Sequence, residues 1–176
     1  MNLQQPQKLH RKDWVLKVIE LFSSDTPNGK KIGIMLEEIG FKYKVIKLDL
    51  AKGDQFKPEF KKISPFAKIP TIIDHLNNNQ AVFESGAILI YLSERSGKFY
   101  DKENKLNIDQ WLMAQMGLVG PMIGQYHYFY RFNKGLSEVG EKRYFEMTKS
   151  IYKVLEDHLS KNKYLSGENY SISDIA

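Results

Sequence analysis

The sequence predicts an α/β domain followed by an all-α domain, and three observations carry that expectation. Strand-like and helix-like segments alternate up to about residue 98, giving the order β-α-β-α-β-β-α. From Lys98 to Asn104 the chain turns polar. Beyond it every apolar segment repeats with helical spacing.

The first ordered segment runs from Val15 to Phe22, dense in the branched and aromatic residues that suit a strand. Turn and capping types follow at Ser23-Ser24-Asp25-Thr26-Pro27-Asn28-Gly29. Ile32, Met35, Leu36 and Ile39 then recur at i, i+3, i+4 and i+7, an amphipathic helix that Gly40 closes as a left-handed cap. Tyr43 to Leu50 reads as a second strand. A strand–helix–strand unit this short implies parallel pairing of its two strands.

Pro58 opens a short helix, Glu59 to Ile63, and Ser64-Pro65 ends it. Lys68-Ile69-Pro70 leads into a third strand, Thr71-Ile72-Ile73-Asp74. Asn77-Asn78-Asn79 turns the chain into a fourth, Ala81-Val82-Phe83, as a hairpin. Glu84-Ser85-Gly86 precedes a helix with Ala87, Ile88, Tyr91 and Leu92 on one face, closed by Gly97.

In the second domain Ile108 to Val119 is apolar, with a break expected near Gly120-Pro121. An aromatic run from Gln125 to Phe132 follows. Ser137 caps a long helix reaching Lys161, in which Phe145, Thr148, Tyr152, Leu155 and Leu159 form one stripe. Tyr144, Met147, Ile151 and Val154 form an adjacent one, and so wide an apolar arc predicts a helix central to a bundle. Ser171-Ile172-Ser173-Asp174 has capping-box spacing, with Tyr170 and Ile175 placed as a hydrophobic staple. That is a signal to start a helix, yet Ala176 is the last residue, which leads us to expect a truncated helical domain. The domains expected are therefore a polar extension at 1–14, the α/β domain at 15–98 and the helical domain at 104–176.

Composition limits the chemistry. The 176 residues include 42% hydrophobic and 27% charged types, a globular profile. No apolar run approaches the roughly 18 residues that would span a bilayer. The start of the chain lacks the apolar stretch of an export signal, so we expect a cytoplasmic protein. The net charge is +5, but the lysines are spread singly, the pattern of a solvated face rather than a nucleic-acid track. There is no cysteine at all. Disulfides, thiolate metal sites and a cysteine nucleophile are excluded, so reactive sulfur would have to arrive with a ligand. His10, His75, His127 and His158 are too scattered to nominate a metal.

Four motifs in fixed order carry a resemblance: Thr26-Pro27-Asn28-Gly29 after the first strand, Lys68-Ile69-Pro70 before the third, Glu84-Ser85-Gly86-Ala87 at the helix that closes the first domain, and Asn169 to Ala176 at the end. Together they resemble the glutathione transferase superfamily, over about Val18 to Ala176. The Thr-Pro-Asn-Gly turn, with Gly53 to Phe60 and Ile63-Ser64-Pro65, resembles its bacterial nu class, to which a fungal prion-forming nitrogen regulator is related. The resemblance implies a thioredoxin-like first domain, a homodimer, and no nucleic-acid or membrane partner. It implies bound glutathione, reduced or as the disulfide, as co-substrate, with no metal.

Residue by residue, the resemblance implies the following. Ser85, at a helix N-terminus where free N–H groups favour an anion, holds the γ-glutamyl carboxylate, with Glu84 near the amine; the same geometry would also serve to cap the helix. Ile69 pairs its N–H and C=O with the cysteinyl backbone, beside a cis bond at Pro70. Gln55 and Lys68 lie near the glycyl end, and both also read as surface residues. Thr26 and Asn28 stand by the sulfur and favour its thiolate, although an ordinary turn has the same composition. Arg143 contacts a second glutathione, and also reads as an exposed helical arginine. The activity implied is reduction of a small disulfide, with conjugation to an electrophile or reduction of a peroxide open to the same thiolate. The alternatives are a non-catalytic glutathione-binding or regulatory protein, or an inactive fragment.

Overall fold

A computed structural model describes residues 18–176. The expected polar extension at 1–14, and the first residues of the expected strand, lie outside them. The described chain divides into two compact units, one ending at Ile88 and one spanning Leu89–Ala176.

The first unit carries a four-stranded mixed sheet in the order β2-β1-β3-β4. Strand β1 (Ile19–Ser23) buries Ile19, Leu21 and Ser23 on one face. Helix α1 (Pro27–Ile39) follows, capped by the Thr26 hydroxyl, which accepts the Gly29 N–H at 3.3 Å. Gly40 ends it at φ 75°, a conformation that glycine adopts without steric cost. Strand β2 (Tyr43–Lys47) pairs parallel with β1, as the short strand–helix–strand spacing requires. It stops before the expected Leu50 because Asp49 takes over the chain: its carboxylate accepts the Ala51 and Lys52 N–H groups at 3.1 and 3.2 Å. That local turn competes with ladder pairing.

A 3₁₀ turn at Asp54–Phe56 leads to α2 (Pro58–Lys61). Strand β3 (Thr71–Asp74) runs antiparallel to both β1 and β4 (Gln80–Phe83). Asn78 and Asn79 take φ of 52° and 57° in the hairpin turn, a region asparagine tolerates better than most residues. Ile32, Met35, Leu36 and Ile72 have no exposed surface. The α1 stripe read from the sequence is therefore its buried face. The mixed sheet with its helices is a thioredoxin-like fold.

Helix α3 (Ser85–Ser96) contributes residues to both units, the first ending at Ile88 and the second beginning at Leu89. Gly97 follows at φ 70° where the capping glycine was expected.

In the second unit the expected break at Gly120-Pro121 does not occur. Helix α4 (Lys105–Ala114) passes through a π-turn at Gln115–Val119 directly into α5 (Gly120–His127), with helical dihedrals at each junction. The wide turn absorbs the proline, which has no N–H to give the preceding turn. A second π-turn at Tyr128–Phe132 carries the end of the aromatic run. Here Tyr126 stacks on Tyr130 with ring centres 5.5 Å apart and leans on Phe145 at 5.7 Å.

Helix α6 (Glu138–Leu159) is capped by Ser137, whose hydroxyl accepts the Gly140 N–H at 3.1 Å. The expectation that α6 is central to a bundle is not met. Of its two apolar stripes only Thr148 and Ile151 are buried, while Phe145, Tyr152, Val154 and Leu159 are exposed. A wide apolar arc gives a helix the capacity for burial from several sides, and among the described residues α6 packs mainly on α5 and the turn after it, with Phe129 stacked on Tyr144 and Trp111 of α4 against His158.

The capping box at α7 (Ile172–Ile175) is formed in full. Asp174 accepts the Ser171 N–H at 2.9 Å, and Ser171 accepts the Ser173 N–H at 3.3 Å. Tyr170 packs edge-on to Phe99, α7 packs on α4, and Ile172 is fully buried.

Candidate functional site

A cavity of about 140 Å³ opens in the first unit, lined by Asn28, Ser64, Phe66, Lys68, Ile69, Pro70, Phe83, Glu84 and Ser85. Four local structures bring these residues together. The first turn of α1 supplies Asn28, one residue inside Pro27. The turn after α2 supplies residues 64–68, and the cis Ile69–Pro70 bond sits at the entry to β3. The junction of β4 and α3 supplies Phe83, Glu84 and Ser85.

Each contributes a different kind of group. Ser85 is buried and stands in the first turn of α3, a helix of 12 residues, where N–H groups without intrahelical partners and the helix dipole favour a negative charge. Glu84 is exposed and held at φ 69°, with its carbonyl accepting the Ile88 N–H at 2.9 Å. An acid in the left-handed region is uncommon for a residue without a short polar side chain, and such conformations gather at functional sites. A carboxylate beside an anion-favouring helix end suits a ligand bearing both charges, as an α-amino acid does.

Ile69 has a backbone N–H and C=O that make no hydrogen bond to any described residue. An extended residue with both backbone groups open is a docking edge for another peptide. Lys68 is exposed at the rim. The start of α1 is pressed against the end of β1: a Cβ on Gly29 would lie 2.2 Å from the Ser23 hydroxyl and 2.7 Å from the Ser24 carbonyl. Only glycine admits that approach.

Of the residues expected from the sequence, five therefore line one cavity: Asn28, Lys68, Ile69, Glu84 and Ser85. Thr26 lies two residues from Asn28 and serves as the α1 cap, its hydroxyl proton still available for donation. Gln55 is not in the lining. Its Nε2 donates to the Leu50 carbonyl at 3.4 Å, and its Oε1 is buried without a partner among the described residues. Arg143 lies in the other unit, on an exposed face of α6.

Three lining residues are not legible in the sequence as site residues. Ser64 reads only as the end of a helix, and Phe66 and Phe83 as ordinary apolar positions. In the structure their rings form a tilted pair with centres 6.3 Å apart along one wall. At 140 Å³ the cavity is smaller than the roughly 300–1,000 Å³ that encloses a whole drug-sized ligand. It can hold one end of an extended ligand. Among the described residues no three metal-ligating side chains stand together, and no helix is long and apolar enough to cross a membrane.

The chain as a whole is similar to known proteins. The family model for the glutathione S-transferase N-terminal domain matches residues 17–94. Disulfide-bond oxidoreductase YfcG of Escherichia coli is 45% identical over 165 residues, which cover 90% of this chain and 77% of that protein. A glutathione transferase family member from Pseudomonas fluorescens Pf-5, solved with two glutathione bound, superposes with a TM-score of 0.87. It is 41% identical, over 94% of this chain and 77% of its own. A glutathione transferase from Pseudomonas putida, solved with one glutathione disulfide per subunit, has a TM-score of 0.86 and 39% identity, over 94% and 76%.

Proposed function

Because the chain belongs to the glutathione transferase family, we propose that it is a glutathione-dependent enzyme whose main reaction is the reduction of disulfides. The observation that carries this reading is the convergence of an anion-favouring helix start, an acid and an open peptide edge on one small cavity.

Glutathione has two carboxylates, one amine and one thiol; the cavity receives its γ-glutamyl end, and residues at the mouth receive the rest. The γ-glutamyl carboxylate takes the α3 N-terminus at Ser85, and its amine faces Glu84. The cysteinyl backbone pairs with the Ile69 N–H and C=O as a short added strand. Lys68, at the rim, is the counter-ion of the glycyl carboxylate. That order directs the thiol toward the start of α1.

A free thiol with a pKa near 8.5 is only a few per cent thiolate at neutral pH. Hydroxyl and amide donors shift that balance toward the anion, and Thr26 and Asn28 are the donors there. The thiolate attacks one sulfur of a disulfide, and the other sulfur leaves as a thiolate that takes up a proton. The mixed disulfide so formed is attacked by a second glutathione thiolate. Glutathione disulfide and two thiols are the products, and the two electrons come from the two glutathiones. The chain has no cysteine, so the mixed disulfide forms on glutathione and not on the protein.

Turnover of a small organic disulfide with reduced glutathione tests the reading. The Thr26→Ala/Asn28→Ala pair should lower kcat/KM at least about tenfold, since a hydrogen bond to a charged group is worth roughly 1.5–3 kcal/mol. Equal rates would remove both side chains from the mechanism. Stabilisation of the chain by glutathione without any turnover would favour a binding or regulatory role instead.

A further inference from the structure

We propose that Ser64 is a positioning residue that sets the direction of the Ile69 N–H at the glutathione site; this rests on the glutathione reading given above. Ser64 is 1% exposed. Its hydroxyl donates to the Lys68 carbonyl at 2.7 Å and accepts the Lys68 N–H at 3.2 Å. A third bond closes the same turn, from the Ala67 N–H to the Ser64 carbonyl at 2.9 Å.

The consequence follows from peptide geometry. The Lys68 carbonyl and the Ile69 N–H belong to one planar trans peptide, in which C=O and N–H point in opposite directions. A hydroxyl that holds the carbonyl inward therefore turns the Ile69 N–H the other way, away from Ser64. The Thr71 hydroxyl adds a weaker bond to the same carbonyl at 3.4 Å. No other polar side chain is bonded to the Lys68 peptide among the described residues.

The turn also needs holding. Ala67 sits at φ 54°, a conformation that an alanine adopts only when its surroundings impose it. Without the Ser64 hydroxyl, Ala67 is free to relax to negative φ, and the Lys68–Ile69 peptide plane turns with it. The edge offered to a docking peptide is then lost although every cavity side chain remains.

The test is the Ser64→Ala variant, read first by calorimetry with reduced glutathione and then by disulfide turnover. The dissociation constant and the KM for glutathione should rise about tenfold, the order expected for losing one aligned hydrogen bond to the ligand and some preorganisation. The kcat at saturating glutathione should stay within about twofold, because Ser64 touches neither sulfur. A general loosening of the fold would lower kcat as well, and that outcome overturns the proposal. So does a variant that binds glutathione as tightly as the parent chain.

Hydrogen exchange on the unaltered chain gives an independent arm should the variant not fold. The Lys68 amide should be protected without ligand and the Ile69 amide only with glutathione. Equal protection of the two in the free protein overturns the proposal. If the unaltered chain neither binds glutathione nor protects Ile69, the glutathione reading itself falls, and the parent arm alone reveals that.

Discussion

The two units of this chain solve the problem of burial differently. In the first, α1 sinks Ile32, Met35 and Leu36 completely, and Ile72 of β3 is as deeply buried. In the second, the longest helix, α6, leaves Phe145, Tyr152, Val154 and Leu159 exposed, and the π-turn before it leaves Tyr130 and Phe132 outside as well. Similar apolar patterns thus have unlike fates. Periodicity reports which face a helix can bury, whereas burial itself depends on what packs against that face. The α/β unit contains its own covering layer because helix and sheet are joined in one short stretch of chain. Helices have no such obligation to their neighbours in sequence.

The sharpest way to break this comparison is to cut side chains in both units. Leu36→Ala should cost about 3 kcal/mol in chemical denaturation, from lost transfer free energy and a residual cavity. Val154→Ala should cost less than about 0.5 kcal/mol, as surface substitutions do. Similar losses at the two positions would mean that the outer face of α6 is covered in solution.

A smaller effect tests what polar contacts add to the second unit at α7, where Ile172 is already fully buried. The Ser171 hydroxyl takes part in the capping box and lies 2.9 Å from the Ser166 hydroxyl. Ser171→Ala should cost about 1–2 kcal/mol, the upper range for an N-cap, with the loss read as a lower midpoint at unchanged slope.

The last effect is a gain, and it lies in the first unit. Lys31 is 8% exposed on α1, and no carboxylate among the described residues pairs with it. Burial alone pushes its ammonium from 10.5 down to about 8. Between those two values the unfolded chain holds the proton and the folded chain has released it, so stability rises with pH across that window. Below it the folded chain carries the cost of a buried charge. Lys31→Met should therefore stabilise the chain by about 1 kcal/mol at pH 7 and flatten the rise above pH 8. A steeper slope in the variant would contradict the assignment.

What the sequence disclosed was mostly local chemistry. Thr26, Pro27 and Gly40 bracket α1 because a cap needs only its own turn, and Ser171 with Asp174 made the last helix start just as plain. Parallel pairing of β1 and β2 followed from chain length alone. The candidate site was legible where a motif names backbone behaviour, as at Ile69-Pro70 and Glu84-Ser85. It was not legible where a side chain acts across a turn: nothing in Ser64-Pro65 announces a hydroxyl bonded to the Lys68 peptide. The burial of Lys31 was hidden for a related reason, since a lysine beside an apolar stripe is usually a solvated one. The unbroken passage through Pro121 was missed because a proline signals a lost N–H, and the five-residue turn that absorbs the loss has no composition of its own.

That turn at Gln115–Val119 also fixes an angular phase. A π-turn contains one residue more than an α-turn, and one residue is worth about 100° around a helix axis. Every side chain from Gly120 onward is therefore rotated by that amount from where an unbroken 3.6-residue count would place it. Deleting any one residue between 115 and 119 would restore regular winding and swing Tyr126 away from Phe145, with no amino acid of the aromatic run itself changed. The segment acts as an index mark for the helix beyond it, and its length carries more information than its composition.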